Sequence, residues 1–286
     1  TGAVAWRQRE DGRDTHWQPL PGMTVRIAGE CLQMAAPWLQ DSGWQDSADR
    51  AVADGAGFAL RGRADRIVKI EEKRVSLDAF ERELVSTGLL LDARAVVLAG
   101  GRSRIGIVAI PNAAGWALHD ADGRRAFSQR LRAVLATSAE AVVLPRRWRF
   151  SWALPLNATG KTTTAALLAL FDPRRPHARL LEHTDAVARL QIEVAEASPY
   201  FDGHFVAAPI LPGVAQIDWA ILFARELFAM PTQFAGLEAI KFHDWIGAGA
   251  SVTLSLQRSA DDVVAFRIGS DKGAHASGRI LFRDPQ

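Results

Sequence analysis

Four stretches in the second half of the chain carry the signature of half-buried strands. Leu190, Ile192 and Val194 alternate with polar residues, as do Val252, Leu254 and Leu256, and Val263–Ile268 and Ile280–Phe282 add two apolar runs. A period of two puts successive side chains on opposite faces of a sheet, so these stretches predict strands. Between the first and second lies a different pattern. From Gly213 to Ala229, Val214, Ile217, Ile221, Leu222 and Phe228 recur at helical spacing, which predicts one long helix with a wide apolar surface. Met230-Pro231 ends it, because proline cannot continue a helix. One long helix against several antiparallel strands is an ordinary α+β domain.

Upstream, strand and helix signals interleave. Leu77–Val85 reads as a helix with Ser76 as its cap. Arg94–Leu98, Ile105–Ile110 and Arg149–Leu154 read as strands. Arg124–Ala136 reads as an amphipathic helix with Phe127, Leu131 and Leu135 on one face. Asp172-Pro173-Arg174-Arg175-Pro176-His177 reads as a linker, since two prolines and three charges are not expected to pack. The expected division is a β-rich segment 1–62, a small α/β domain 63–172 and an α+β domain 173–286. No internal repeat or low-complexity tract interrupts it.

Composition narrows the class. A length of 286 residues suits two domains or more, and 48% hydrophobic with 23% charged residues are globular values. A net charge of +2 is too small to argue a nucleic-acid partner. No run of about 18 uncharged apolar residues suggests a membrane span, and no signal-peptide pattern opens the chain. The single cysteine, Cys31, excludes an internal disulfide and fits a reducing compartment, so a cytoplasmic location is expected. The start at Thr1-Gly2, without Met, reads as a piece of a longer polypeptide. His16, His119, His177, His183, His243 and His275 show no metal-ligand spacing, and no metal is expected. The neighbouring pair His243-Asp244 is expected on a strand, where the two side chains would point to opposite faces and not cooperate.

The densest chemistry is Tyr200-Phe201-Asp202-Gly203-His204-Phe205, followed by Pro209-Ile210-Leu211-Pro212-Gly213-Val214 and then Asp218. It sets a histidine before a Pro-Gly turn and a carboxylate fourteen positions later on the predicted helix. A histidine and an acid beside a helix N-terminus are equipped to move protons around a thioester. The stretch resembles the β-hydroxyacyl-carrier-protein dehydratases of bacterial fatty acid synthesis, which have the hotdog fold. Asp at the acid position is the choice of the branch that makes 3-decenoyl intermediates. Val206-Ala207-Ala208 departs from the Pro-Gly-Arg or Pro-Gly-Lys often found there. The resemblance implies a 3-hydroxyacyl-carrier-protein dehydratase, a hydro-lyase forming trans-2-enoyl thioesters without a cofactor. His204 would take the α-proton, Asp218 would protonate the departing β-hydroxyl, and the Gly213 N–H would hold the thioester oxygen. It also implies a homodimer, since the two residues come from different subunits in that family. The substrate would be a thioester on acyl carrier protein or CoA. A hotdog thioesterase and a non-catalytic carrier-docking module remain open beside it.

A second resemblance lies upstream, in residues 58–78, with Phe-Ala-Leu-Arg-Gly-Arg-Ala-Asp-Arg and Ile-Val-Lys-Ile-Glu-Glu-Lys-Arg-Val, and in 154–164, with Leu-Pro-Leu-Asn-Ala-Thr-Gly-Lys. These are similar to the C-terminal part of the adenylate-forming acyl ligases, and Thr1–Trp6 resembles the end of the segment after that family's adenine motif. By position, Asp49 matches the carboxylate that holds the ribose hydroxyls and Arg63 the ribose-contacting arginine. Asp65 matches the hinge and Lys161 the lysine that reaches the acyl-adenylate, at the start of a predicted helix. The large ATP-binding domain of the family is absent from these 286 residues. The resemblance therefore implies an incomplete ligase, with ATP and Mg involved only when that domain is present. Glu72 stands where the family usually has Gly. Thr159-Gly160-Lys161-Thr162 is not a P-loop, because Pro155 stands where the spacing needs Gly. Arg146, Arg147, Arg149, Arg174 and Arg175 are candidates for contacting an acidic carrier protein.

Overall fold

A computed structural model describes residues 4–10, 13–14, 16–39, 43–157, 159–204, 209–231 and 233–284, and only the backbone of Arg9, Glu10, Arg13, Asp14 and Asp65. Thr1–Ala3 and the motif residues Phe205–Ala208 lie outside the described residues. The class is α+β, mostly sheet. The chain forms two compact units, Thr1–Ile107 with Gly115–Arg147, and Val108–Ala114 with Trp148–Gln286.

The first unit opens on two short antiparallel pairs, β1 (Ala5–Trp6) with β4 (Gln18–Pro19) and β2 (Arg9–Glu10) with β3 (Arg13–Asp14). A sheet follows in the order β5 (Thr24–Ala28), β6 (Cys31–Ala35), β7 (Gln45–Asp54), β8 (Gly57–Arg63), around buried Leu32, Ala51 and Phe58. After a 3-10 turn at Ala64–Arg66 come the hairpin β9 (Ile67–Ile70) and β10 (Lys73–Ser76), then α1 (Leu77–Ser86). The Ser76 hydroxyl caps α1 by accepting the Ala79 N–H at 3.2 Å, as its sequence signal predicts. β11 (Leu90–Leu98) and β12 (Arg104–Pro111) extend the two predicted strands. The helix α2 (Ala113–Leu135) is broken at Gly123, whose φ of 82° and ψ of 158° are not helical. Its second part carries the predicted core face, with Phe127, Leu131 and Leu135 fully buried. The part before Gly123 has no counterpart in the sequence reading.

The turn joining β9 to β10 explains the unusual Glu72. Glu71 and Glu72 have φ of 46° and 65°, the left-handed pair required by a two-residue hairpin turn in which Asn-Gly is favoured. A family glycine at this position fits that conformation. The Glu72 side chain is exposed and paired with Lys69. Left-handed backbone is disfavoured for ordinary residues by roughly 1–2 kcal/mol each. Replacing Glu71-Glu72 by Asn-Gly should therefore stabilise the unit by about 1 kcal/mol after the loss of the ion pair and the added freedom of glycine in the unfolded chain. A denaturant midpoint that stays put or falls would show that the turn holds no such strain.

The second unit contains β13 (Arg147–Phe150) from Trp148 on, α3 (Thr164–Ala169), β14 (His177–His183), β15 (Val187–Glu193), α4 (Gly213–Leu227), β16 (Gln233–Phe242), β17 (Ser251–Ala260), β18 (Val263–Ser270) and β19 (Gly273–Arg283). Six strands form one antiparallel sheet in the order β14-β15-β17-β18-β19-β16, and α4 packs against β17, β18 and β19. This is the helix-on-sheet arrangement that the hotdog resemblance implies. Ala188, Leu190, Ile192, Val252, Leu254, Leu256, Val264, Phe266, Ile268, Ile280 and Phe282 supply the sheet side of its core.

Three features differ from what the sequence predicts. The buried face of α4 is Ala215, Gln216, Trp219, Ala220, Phe223, Ala224 and Leu227, whereas Val214 is 70% exposed and Ile217, Ile221 and Leu222 are half-buried. Small residues let the helix approach the sheet closely, so the wide apolar surface faces both ways. The helix predicted to begin at Lys161 begins at Thr164, capped by the Thr163 hydroxyl accepting from Ala166 N–H at 3.2 Å. The stretch Asp172–His177 does pack. Buried Arg149 donates to the carbonyls of Asp172 (3.1 Å), Arg175 (2.9 Å) and Pro176 (3.1 Å). The indole N–H of Trp219 donates to that of Arg174 at 3.1 Å. A guanidinium has five donors in a fixed fork, enough to satisfy a stretch whose prolines cannot enter a ladder.

Candidate active site

His204 follows a short 3-10 turn, Pro199–Phe201, and Gly203, whose φ of 73° lies in the left-handed region that glycine enters without penalty. The His204 N–H donates to the Phe201 carbonyl at 3.2 Å, closing the turn. Its Nδ1 lies 2.9 Å from the carbonyl oxygen of Ile210. An oxygen acceptor there requires the proton on Nδ1, so neutral His204 carries its basic lone pair on Nε2. Ile210 is fixed in turn by a bridge to Gly247, and Leu211 N–H donates to the Ile246 carbonyl at 2.8 Å. The imidazole therefore hangs on a segment bonded to the rest of the unit, two residues before Pro212-Gly213.

Gly213 is the first residue of α4, and Pro212 before it gives no side-chain cap. The Ala215 and Gln216 N–H groups donate to the Pro212 carbonyl at 3.1 and 3.3 Å, while Gly213 and Val214 precede any intrahelical acceptor and carry the positive end of the helix dipole. A Cβ at position 213 would lie 2.5 Å from the tip of the exposed Phe242 ring, which would have to shift to admit a larger residue. Gln216 is buried one turn on. Its Nε2 donates to the Leu211 carbonyl at 3.4 Å and its Oε1 has no partner.

Asp218 is exposed on α4 and accepts a hydrogen bond on Oδ2 from the Tyr200 hydroxyl at 2.8 Å. Burial, and then the bond to the Asp218 carboxylate, push the Tyr200 hydroxyl up to about 12. Tyr200 also meets the ring of Trp219 edge-on, with centroids 6.2 Å apart. Tyr200, Gln216 and Phe242 are absent from the sequence-derived site. Tyr200 stood in the motif itself, but nothing in its spacing pairs it with residue 218.

The ligase-like residues lie elsewhere. Asp49 and Arg63 face each other across β7 and β8, with Asp49 Oδ1 3.6 Å from Arg63 Nη1. The Asp49 carboxylate also accepts from the Ser47 hydroxyl at 3.0 Å. Beside it opens a cavity of about 190 Å³ lined mainly by Val4, Ala5, Trp17, Leu32, Met34, Phe58 and Leu60. The side chain of Asp65 lies outside the described residues, and its backbone is in the 3-10 turn. Next to it, Arg66 is held by Asp78 at 2.8 Å and by Glu81, and the Arg63 N–H donates to Asp78 at 3.0 Å. These bonds anchor the chain after Arg63 to α1.

Lys161 is exposed, in a loop organised by Asn157, whose Oδ1 accepts from Thr159 N–H (3.0 Å), the Thr159 hydroxyl (2.8 Å) and Lys161 N–H (2.9 Å). It belongs to the second unit, while Asp49 and Arg63 belong to the first. Of the arginines expected to meet a carrier, Arg146, Arg147 and Arg174 are exposed. Arg149 is buried against carbonyls, and Arg175 forks Glu226 at 2.5 and 2.7 Å, so these two are already engaged. Among the described residues no group of three or more His, Cys, Asp or Glu side chains could hold a metal, and no helix is long and apolar enough to cross a membrane.

Known proteins resemble both parts. The family model described as ApeI-like, ApeI dehydratase, matches residues 181–279. A 3-hydroxyacyl-[acyl-carrier-protein] dehydratase FabZ of Chlamydia abortus is 31% identical over 108 residues, which are 35% of this chain and 64% of that protein. The chain thus spans somewhat less than two thirds of that relative. Among solved structures, the dehydratase heterocomplex ApeI:P from Xenorhabdus doucetiae is 28% identical, covering 37% of this chain and 96% of its own, with a TM-score of 0.35. A Mycobacterium tuberculosis fatty acyl CoA synthetase is 14% identical, covering 52% of this chain and 33% of its own, with a TM-score of 0.39. The dehydratase resemblance read in the sequence recurs in the family model and in the curated relative.

Proposed function

We propose that the second unit dehydrates 3-hydroxyacyl thioesters to trans-2-enoyl thioesters. The observation that carries this reading is the tie between His204 Nδ1 and the Ile210 carbonyl, which leaves Nε2 as base just before a helix that starts uncapped at Gly213. A thioester carbonyl held at the Gly213 N–H gains stabilisation as negative charge builds on its oxygen, which acidifies the neighbouring carbon. His204 Nε2 takes the α-proton. The β carbon–oxygen bond then breaks, and the hydroxyl leaves as water with the proton of Asp218. No cofactor enters this step. The substrate is a thioester on acyl carrier protein or CoA, in fatty acid or related lipid synthesis in the cytoplasm.

The unit works as a homodimer in this reading. Edge strand β16 exposes Phe234, Leu237 and Phe242, and Val214 is exposed at the start of α4. An apolar sheet edge invites pairing with another chain, and a twofold interface would cover the same patch on both copies. In this reading the chain divides into 1–62, 63–172 and 173–286. Residues 1–62 are then a β-rich remnant of an acyl ligase's N-terminal domain and 63–172 its C-terminal domain, with Asp49 and Arg63 for the ribose, Asp65 as hinge and Lys161 for the acyl-adenylate. ATP and Mg would join only together with the ligase domain that these residues lack. The test incubates the purified chain with a 3-hydroxyacyl carrier protein and follows the acyl group by mass spectrometry. Loss of one water supports dehydration. Release of the free acid would make it a thioesterase, and an unchanged acyl group would make it a docking module.

A further inference from the structure

We propose that Asp172–His177, the stretch joining the ligase-like and dehydratase-like parts, is a positioning strap for Asp218 that acts through Trp219 and Tyr200. The proposal rests on the dehydratase reading above. Arg149, 8% exposed, gathers the carbonyls of Asp172, Arg175 and Pro176, and so fixes the backbone that presents the Arg174 carbonyl. That carbonyl accepts the indole N–H of Trp219, which is 2% exposed and adjacent to Asp218 on α4. Trp219 meets Tyr200 edge-on, and the Tyr200 hydroxyl donates to Asp218.

The strap grips α4 twice more. Arg175 forks Glu226, and its guanidinium lies 5.6 Å from the centroid of the Phe223 ring. Three positions of one helix are thereby tied to six residues that the sequence alone presents as a tether. A flexible tether would need none of these bonds. A buried arginine is also costly to place unless its donors are met, and here they meet the carbonyls of the strap itself. The chemical consequence falls on the acid. A carboxylate must hold its proton to act as general acid, and a hydroxyl donating to the charged form favours that form. The Tyr200 bond therefore sets the direction of the Asp218 carboxylate. The charged groups acting on Tyr200 are Asp218 on α4 and Arg174 and Asp172 on the strap.

The test uses the full chain and the pH dependence of kcat for dehydration. Tyr200→Phe removes a donor that favours the charged form of the acid, and the alkaline limb of kcat should move up. Trp219→Phe keeps a ring but deletes the bond to Arg174, and should move the same limb in the same direction by less. A merely structural role would lower the amount of folded enzyme and leave the limb in place.

The chain has one tyrosine, so incorporated 3-fluorotyrosine gives a single ¹⁹F resonance that reads Tyr200 without any activity. Asp218→Asn and Trp219→Phe should each shift it. A limb unmoved by Trp219→Phe overturns the proposal, whether or not the resonance moves. Absence of dehydration in the unaltered chain sinks the functional reading instead. Dehydration that depends on His204 but ignores Trp219→Phe sinks the strap alone.

Discussion

His204→Ala and Asp218→Asn should each slow dehydration by roughly 100-fold or more while the unit stays folded. General acid–base groups typically contribute about 10²–10⁴-fold, and neither residue belongs to the core. His204→Ala deletes the bond to the Ile210 carbonyl, whose segment remains held by Gly247 and Ile246. Asp218→Asn keeps an acceptor for the Tyr200 hydroxyl, so its shape survives and only its acidity is lost. Rates with a 3-hydroxyacyl thioester, beside thermal unfolding of each variant, separate chemistry from folding. If each site draws its histidine and its acid from different subunits, mixing the two inactive variants restores part of the rate through heterodimers with one intact site. A variant with near-normal turnover would remove its residue from the mechanism.

The sequence carried the second unit well where the physics is local. The period-two stretches became β15 and β17–β19, and the glycine-rich motif became a turn, because Gly203 needs its left-handed φ and Gly213 lies under Phe242. It missed the two edge strands. β14 shifts register between Leu180 and Glu182, and β16 shifts between Phe234 and Gly236 and between Glu238 and Lys241, so their alternation is broken. Bulges at an edge erase the period that a pattern search needs. In consequence His243 and Asp244 fall just after β16 rather than on a strand, and both N–H groups converge on the His275 carbonyl. The strap was misread for another reason. Its prolines and charges do signal irregular backbone, but the partner that makes it pack, Arg149, lies over twenty residues upstream. The Tyr200–Asp218 bond is equally non-local. Pairings of this kind come from the fold, and a motif names only one side of them.

Phe223→Ala should destabilise the second unit by about 3–5 kcal/mol, the range for removing a buried aromatic ring. Phe223 is fully buried in the middle of α4, between the sheet core and the strap, with Trp152 6.0 Å away and the Arg175 guanidinium over its ring. The loss therefore combines the ring's apolar burial, the cavity left behind and one cation–π contact of about 0.5–2 kcal/mol. Phe223→Leu fills most of the volume and should cost far less, under about 2 kcal/mol. Val214→Ala, on the helix face that solvent reaches, should stay within about 0.5 kcal/mol. The three variants, compared by urea unfolding at one protein concentration and unchanged oligomeric state, test which face of a helix with apolar residues on several sides meets the sheet. A domain is stable by only about 5–15 kcal/mol, so Phe223→Ala alone should bring the unit close to its limit. If Val214→Ala cost more than Phe223→Ala, α4 would be turned the other way, and the strap, which holds it through Trp219, Phe223 and Glu226, would be gripping nothing.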